Sequence, residues 1–141
     1  MGGYGAFKMA FRKPENFAAA ASFSGALDMG RLVRERLQGE NREAWVSEFQ
    51  GTFGNVKNGV GADNDLFKLA KKCADRNVKL PRLYFHCGTE DVLCQDNHNF
   101  QKHLLKLGIK HVYDEGPGEH EWGLWDRQIQ RALEWMISVK N

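Results

Sequence analysis

Two short loops carry residues suited to passing a proton between a carboxylate and an imidazole. Gly88-Thr89-Glu90-Asp91 follows the run Arg82–Cys87, and Gly118-Glu119-His120-Glu121-Trp122 follows the run Ile109–Tyr113. A carboxylate that accepts from an imidazole N–H fixes the ring's tautomer and stabilises the imidazolium formed when the ring takes a proton. Asp91 and His120 are 29 residues apart (120 − 91), which leaves room for one helix and one strand. Adjacent parallel strands would bring both loops to one carboxyl edge, where functional groups gather in open α/β sheets. Asp91 and His120 are therefore the candidate catalytic pair, lacking only a nucleophile.

Other residues compete for these roles. Glu90 is the alternative acid, and Asp96 is better suited to capping the helix that follows it. His86 sits inside an apolar strand pattern and reads as a core histidine with its hydrogen bonds satisfied, while His111 stands at a strand start. His98 and His103 are five apart, off a shared helix face, so no metal site is expected. Ser22 and Ser24 lie outside any glycine-flanked strand-to-helix turn and read as structural. Trp45, Phe49 and Trp122 are candidates for lining a substrate pocket, with plain packing as the alternative.

The elements that would position these groups follow from periodicity. Met1-Gly2-Gly3-Tyr4-Gly5-Ala6 reads as a tight turn feeding a helix that Pro14 ends. Residues 17–23 form an apolar run with small residues in its middle, which predicts a strand covered on both faces. Residues 26–63 are irregular in pattern. Two short amphipathic stretches, 27–37 and 42–49, precede a Gly/Asn-rich segment, so this part reads as an excursion forming a pocket or cap. Asp65 caps a helix with Leu66, Leu69, Ala70 and Cys73 on its apolar face. Strands at 82–87 and 109–113 bracket a helix at 97–107 closed by Gly108, and a last amphipathic helix spans 122–139. Strand and helix alternate from residue 65 onward, which predicts an α/β fold with parallel strands in one domain over 1–141.

Composition excludes several classes. The chain is 42% hydrophobic and 27% charged with a net charge of +2, so neither a disordered chain nor a concentrated basic surface for nucleic acid is expected. No apolar run approaches the ~20 residues that span a bilayer, so no membrane partner is expected. Cys73, Cys87 and Cys94 make an odd count without a CxxC pair, which fits reduced thiols in a cytoplasmic protein better than a disulfide framework.

Order and spacing together resemble a known family. The opening Met1-Gly2-Gly3-Tyr4-Gly5-Ala6 is similar to the tail of a nucleophile elbow, the G-x-S-x-G turn of α/β-hydrolases. In the esterases that include tributyrin esterase, S-formylglutathione hydrolase and feruloyl or acetylxylan esterases, the elbow commonly reads G-x-S-M-G-G and a helix follows. The resemblance runs over most of the chain, through Cys87-Gly88-Thr89-Glu90-Asp91 and the run from His120 to Asp126. It is nearest to the tributyrin-esterase-like branch.

The resemblance implies a partial α/β-hydrolase fold whose front strands and serine are absent. It makes Asp91 the triad acid, His120 the triad base, and the backbone N–H of Met1 an oxyanion-hole donor if a serine precedes it. As a free terminus Met1 would carry an amine instead, so the chain alone is expected to be inactive. Half a parallel sheet would also leave a bare edge, which favours a fragment of a longer enzyme. The implied reaction is hydrolysis of short-chain carboxylic esters without a cofactor, with a small-molecule ester as partner. Homo-oligomerisation or association with the missing half is expected. The alternatives are a non-catalytic remnant acting through protein contacts, or a same-fold hydrolase of S-formylglutathione or plant cell-wall esters.

Overall fold

The computed structural model describes residues 1–57 and 59–138. Its main elements are α1 (Gly2–Arg12), β1 (Ala19–Phe23), α2 (Met29–Gln38), α3 (Arg42–Phe53), α4 (Leu66–Asp75), β2 (Arg82–Gly88), α5 (Cys94–Lys106), β3 (Val112–Gly116) and α6 (Trp122–Ile137). The three strands are parallel in the order β1-β2-β3, with Phe23 opposite His86 and His86 opposite Asp114. This is the parallel α/β arrangement that the alternating pattern predicts, and it agrees with the partial α/β-hydrolase fold that the resemblance implies.

Side chains alternate across β2 and so divide the molecule into layers. Phe85 points toward α1 and α5, with its ring 5.7 Å from Phe7 and 6.2 Å from Phe100. All three phenylalanines are fully buried. Burying a side chain of this size contributes up to about 3 kcal/mol, so this aromatic knot fixes the helices to the sheet. Tyr84 points the other way and meets Trp135 of α6 at 5.5 Å. Helix α4 closes the first layer against α1, with Leu66, Leu69, Ala70 and Cys73 inward. Its Asp65 cap accepts from the N–H groups of Phe67 and Lys68.

Several boundaries differ from expectation for identifiable reasons. The opening glycines belong to α1 itself rather than to a turn before it. A Cβ on Gly3 would collide with Ser22 Oγ and touch the backbone of Gly25, so the glycine is what lets the helix start abut the end of β1. β1 begins only at Ala19, and Ala20 and Ser22 are buried while Ala21 and Phe23 stay partly open, so the strand is not fully covered on both faces.

Residues 26–63 are not irregular but largely helical. Asp28 caps α2 by accepting from the Arg31 N–H at 2.9 Å, and α3 runs four residues past Phe49 until Gly54 adopts φ +75°. The sequence hides α3 because its apolar residues are spread around it. Trp45 and Phe49 stack on each other, while Phe53 reaches Tyr4 of α1.

β3 starts three residues later than its apolar pattern predicts. Gly108 takes a left-handed φ of +68° and the Ile109 N–H bonds back to Leu104 O, so the chain is still closing α5 there. α6 covers 122–137, and Val139, the expected end, lies outside the described residues. Among the described residues no helix is long and apolar enough to cross a membrane.

Candidate active site

The loop after β2 and the loop after β3 touch because Gly88 has no side chain. A Cβ there would run into the Gly118 carbonyl and crowd Leu124. In its absence the loops lace together: Thr89 N–H donates to Gly116 O at 2.9 Å and Glu90 N–H to Gly118 O at 3.2 Å. Glu90 completes the join. Its Oε2 accepts from the Gly118 N–H at 2.5 Å, and its Oε1 accepts from the Thr89 hydroxyl at 2.8 Å. The Gly118 N–H and then the Thr89 hydroxyl hold the Glu90 carboxyl below the usual range. Glu90 therefore ties the two loops and has no hydrogen bond to His120.

Asp91 and His120 are brought together. Nδ1 of His120 lies 2.9 Å from Oδ2 and 3.2 Å from Oδ1 of Asp91. The Asp91 side chain is fully buried, and its Oδ1 also accepts from the Leu93 N–H at 2.8 Å. The His120 side chain is 44% exposed. Its ring stands edge-on to Trp125 at 4.8 Å, and Trp125 Nε1 donates to Ser24 Oγ at 3.0 Å. The carboxylate thus occupies Nδ1, and Nε2 has no hydrogen-bond partner among the described residues. An imidazole held this way can take a proton at Nε2 while the acid stabilises the charge that develops.

A cleft of about 500 Å³ opens beside His120, lined by Met1, Gly3, Phe23, Trp122, Trp125 and Ile129 among others. The first turn of α1 forms one wall, and the early N–H groups of a helix have no intrahelical acceptors. Met1, expected as a backbone oxyanion-hole donor, and Trp122, a pocket candidate, both line this cleft with His120. Trp45 and Phe49 are not among the lining residues of this cleft. Trp45 lines a separate groove with Leu32, Val92 and Leu93, under the Arg36 guanidinium, and Phe49 is buried between Trp45 and Phe53. Both belong to α3, no residue of which lines the His120 cleft.

The other candidates sort by contact. Ser24 adopts φ +47° and receives the Trp125 bond, while Ser22 is buried beneath Gly3 and Gly25. Asp96 is not a cap. It lies inside α5, fully buried, with Arg31 Nε 2.6 Å away. Burial pushes its carboxyl up and the Arg31 guanidinium opposes that shift. His86 is fully buried, but neither ring nitrogen has a partner among the described residues, contrary to the expectation of a satisfied histidine. Burial lowers its basicity.

His103 bonds to Phe67 O and His111 to Ile109 O. His98 is elsewhere and meets Glu115, with Cys94 nearby. The sequence sets His98 beside His103 and not beside Glu115. The i, i+4 spacing of Cys94 and His98 was the visible signal, but Glu115 joins them only through the tertiary fold.

Comparison with known proteins places this architecture. The family described as "Putative esterase" matches residues 1–136. The chain is 31% identical over 141 residues to an acetyl esterase of Caldicellulosiruptor saccharolyticus, covering all of this chain and 53% of that protein. An S-formylglutathione hydrolase structure from Staphylococcus aureus superposes with a TM-score of 0.78 at 30% identity, over 98% of this chain and 52% of that one. A second S-formylglutathione hydrolase, from Agrobacterium tumefaciens, shares the fold with a TM-score of 0.65 at 17% identity, over 96% of this chain and 45% of that one. The chain thus spans about half the length of the relatives it matches. With residues 1–136 matched, it belongs to this α/β-hydrolase family of esterases.

Proposed function

We propose that the full-length protein hydrolyses short-chain carboxylic esters through a Ser–Asp–His triad whose serine lies just upstream of Met1. The observation that carries this reading is the Asp91–His120 pair: a fully buried carboxylate on Nδ1, with Nε2 free beside a cleft walled by the start of α1. A serine before Met1 would sit at the helix start, within the cleft that His120 lines. His120 would then deprotonate the serine and afterwards a water, and Asp91 would hold the imidazolium. In the full-length chain the Met1 amide N–H would be one donor to the oxyanion of the tetrahedral intermediate.

The cleft of about 500 Å³ is bounded by Trp122, Trp125 and Phe23, an apolar wall that suits the acyl part of an ester. The acetyl esterase relative favours a short acyl group. The S-formylglutathione hydrolase likeness supports a second reading, hydrolysis of a formyl thioester. On the β1 side, Ala21 and Phe23 are only half-buried, and Ile129 and Leu133 of α6 are exposed apolar residues. These surfaces favour association with the rest of the sheet in the longer protein.

The test is hydrolysis of p-nitrophenyl acetate and of S-formylglutathione by the full-length protein and its His120→Ala variant. The expected outcome is turnover of the acetate ester that falls at least ~10³-fold in the variant without loss of fold. An unchanged rate in the variant would refute the triad. A strong preference for S-formylglutathione would replace the acetate reading.

A further inference from the structure

Outside the lining of the cleft, between the start of α5 and the end of β3, three donors of different softness converge. Cys94 Sγ lies 3.9 Å from His98 Nε2, and His98 Nε2 lies 2.5 Å from Glu115 Oε2. All three ligating atoms fall within 4.8 Å of one another. We propose that Cys94, His98 and Glu115 form a binding site for a borderline divalent cation, zinc foremost, which clips the start of α5 to the end of β3.

The decisive feature is that both partners face the same ring nitrogen. In a proton relay the carboxylate holds one imidazole nitrogen and the nucleophile meets the other, as the Asp91 contact leaves room for at His120. At His98 the thiol and the carboxylate both meet Nε2, so the three groups point at one place rather than along a line. That is the geometry of a ligand set. Bond lengths of roughly 2.0–2.3 Å place tetrahedral zinc ligands about 3.3–3.6 Å apart. Cys94 and His98 stand close to that spacing, and the His98–Glu115 contact needs only a side-chain adjustment to open.

Chemistry and position agree. Thiolate, imidazole and carboxylate together suit zinc rather than magnesium or calcium, which select oxygen ligands. Tyr113 donates its hydroxyl to Glu115 Oε2 at 2.9 Å, the kind of outer contact that aims a ligating carboxylate. On binding, the thiol proton leaves to solvent, and the imidazole carries its proton on Nδ1 while the Nε2 lone pair turns to the metal.

The clip would act on both catalytic loops. Cys94 follows the acid loop directly, its N–H donating to Asp91 O at 2.9 Å. Glu115 precedes Gly116, whose carbonyl accepts from Thr89 N–H. A metal joining these residues would restrain the segments that hold Asp91 and His120. The site does not depend on the proposed esterase activity.

The experiment is zinc titration of the full-length protein against a chromophoric chelator, with cobalt(II) absorption to report the thiolate bond. The expected result is one equivalent bound at micromolar or lower concentration, with a thiolate-to-cobalt charge-transfer band. Cys94→Ser, His98→Asn and Glu115→Gln should each weaken binding at least ~10-fold, as loss of an inner ligand must exceed the effect of losing an outer one. His103→Asn should leave it unchanged. Absence of micromolar binding, or binding that survives all three substitutions, would overturn the proposal. A second measurement needs no substitution: zinc should protect Cys94 from iodoacetamide in the unaltered protein, read by peptide mass. Alkylation of Cys94 at the same rate with and without zinc would also overturn it.

Discussion

The acid loop and the histidine loop meet at one edge of the sheet but are held very differently. Asp91 is buried completely, bonded by its own loop at Leu93 N–H, and followed by a helix that is itself anchored through Asp96 and Arg31. His120 is close to half-exposed and is restrained by the Asp91 carboxylate, the Trp125 edge and the short run between Gly118 and α6. The acid is therefore pre-placed by the fold, and the imidazole is placed by the acid. Such an arrangement leaves Nε2 open toward the cleft while fixing the ring's tautomer from the buried side.

The sharpest test of that dependence removes the charge and keeps the shape. Asp91→Asn in the full-length protein should lower kcat by about 10⁴, because the amide offers its donor where Nδ1–H needs an acceptor and so favours the wrong tautomer. Steady-state hydrolysis of p-nitrophenyl acetate measures it. A loss below tenfold would mean that His120 does not rely on Asp91. Glu90→Gln should cost far less, since Glu90 binds the Gly118 N–H and not the imidazole.

The join between the loops can be broken sterically. Gly88→Ala places a methyl group against the Gly118 carbonyl and Leu124, atoms that are backbone and packed core rather than flexible ends. Overpacking of this kind costs about 1–3 kcal/mol or more, and a backbone clash belongs at the top of that range. Urea unfolding of the full-length protein reads the loss. A variant as stable as the parent would show that the two loops can separate without consequence.

The acid side also has an electrostatic support. Arg31→Met leaves the Asp96 carboxylate buried without its partner. Breaking a buried pair costs about 3–5 kcal/mol, and because Arg31 is 32% exposed the expected loss is smaller, about 2–3 kcal/mol. The pH dependence has a definite sign. Burial raises the folded-state pKa of Asp96, so its contribution is fully present below the unfolded value and is lost as pH rises through the folded one. Without Arg31 the burial is unopposed and that window extends upward. The variant should therefore recover part of its stability at pH 5 relative to pH 7. Equal losses at both values would show that Asp96 is not the group responsible.

Much of this arrangement was legible in the sequence, and the exceptions have a common cause. The acid and histidine loops were visible because each follows an apolar run and because local glycines mark the turns. α4 was visible from the Asp65 cap and one clean apolar face. α3 was not, because its apolar residues serve two neighbours, α2 and α1, and show no single stripe. The late start of β3 was hidden by Ile109, which is apolar because it packs beside the end of α5, not because it is in the strand. The Asp96–Arg31 pair, and the place of Glu115 beside Cys94 and His98, were invisible for the same reason. Arg31 is 65 residues from Asp96 and Glu115 is 17 residues from His98, and only the packing of α5 against the excursion and the sheet brings them together.

The smallest expected effect lies on the histidine side and measures how much of the placement of His120 comes from beyond Asp91. Trp125 is the link, edge-on to the imidazole and bonded through Nε1 to Ser24 at the end of β1. Trp125→Phe keeps an aromatic edge near the ring and removes the donor. The lost hydrogen bond is worth about 1 kcal/mol, since Ser24 Oγ is also within reach of the Cys87 thiol and is not left wholly without contact. Urea midpoints should fall accordingly, and turnover should drop by less than tenfold. A loss comparable with that of Asp91→Asn would reverse the comparison, because it would make the exposed loop, and not the buried acid, the element that positions the imidazole.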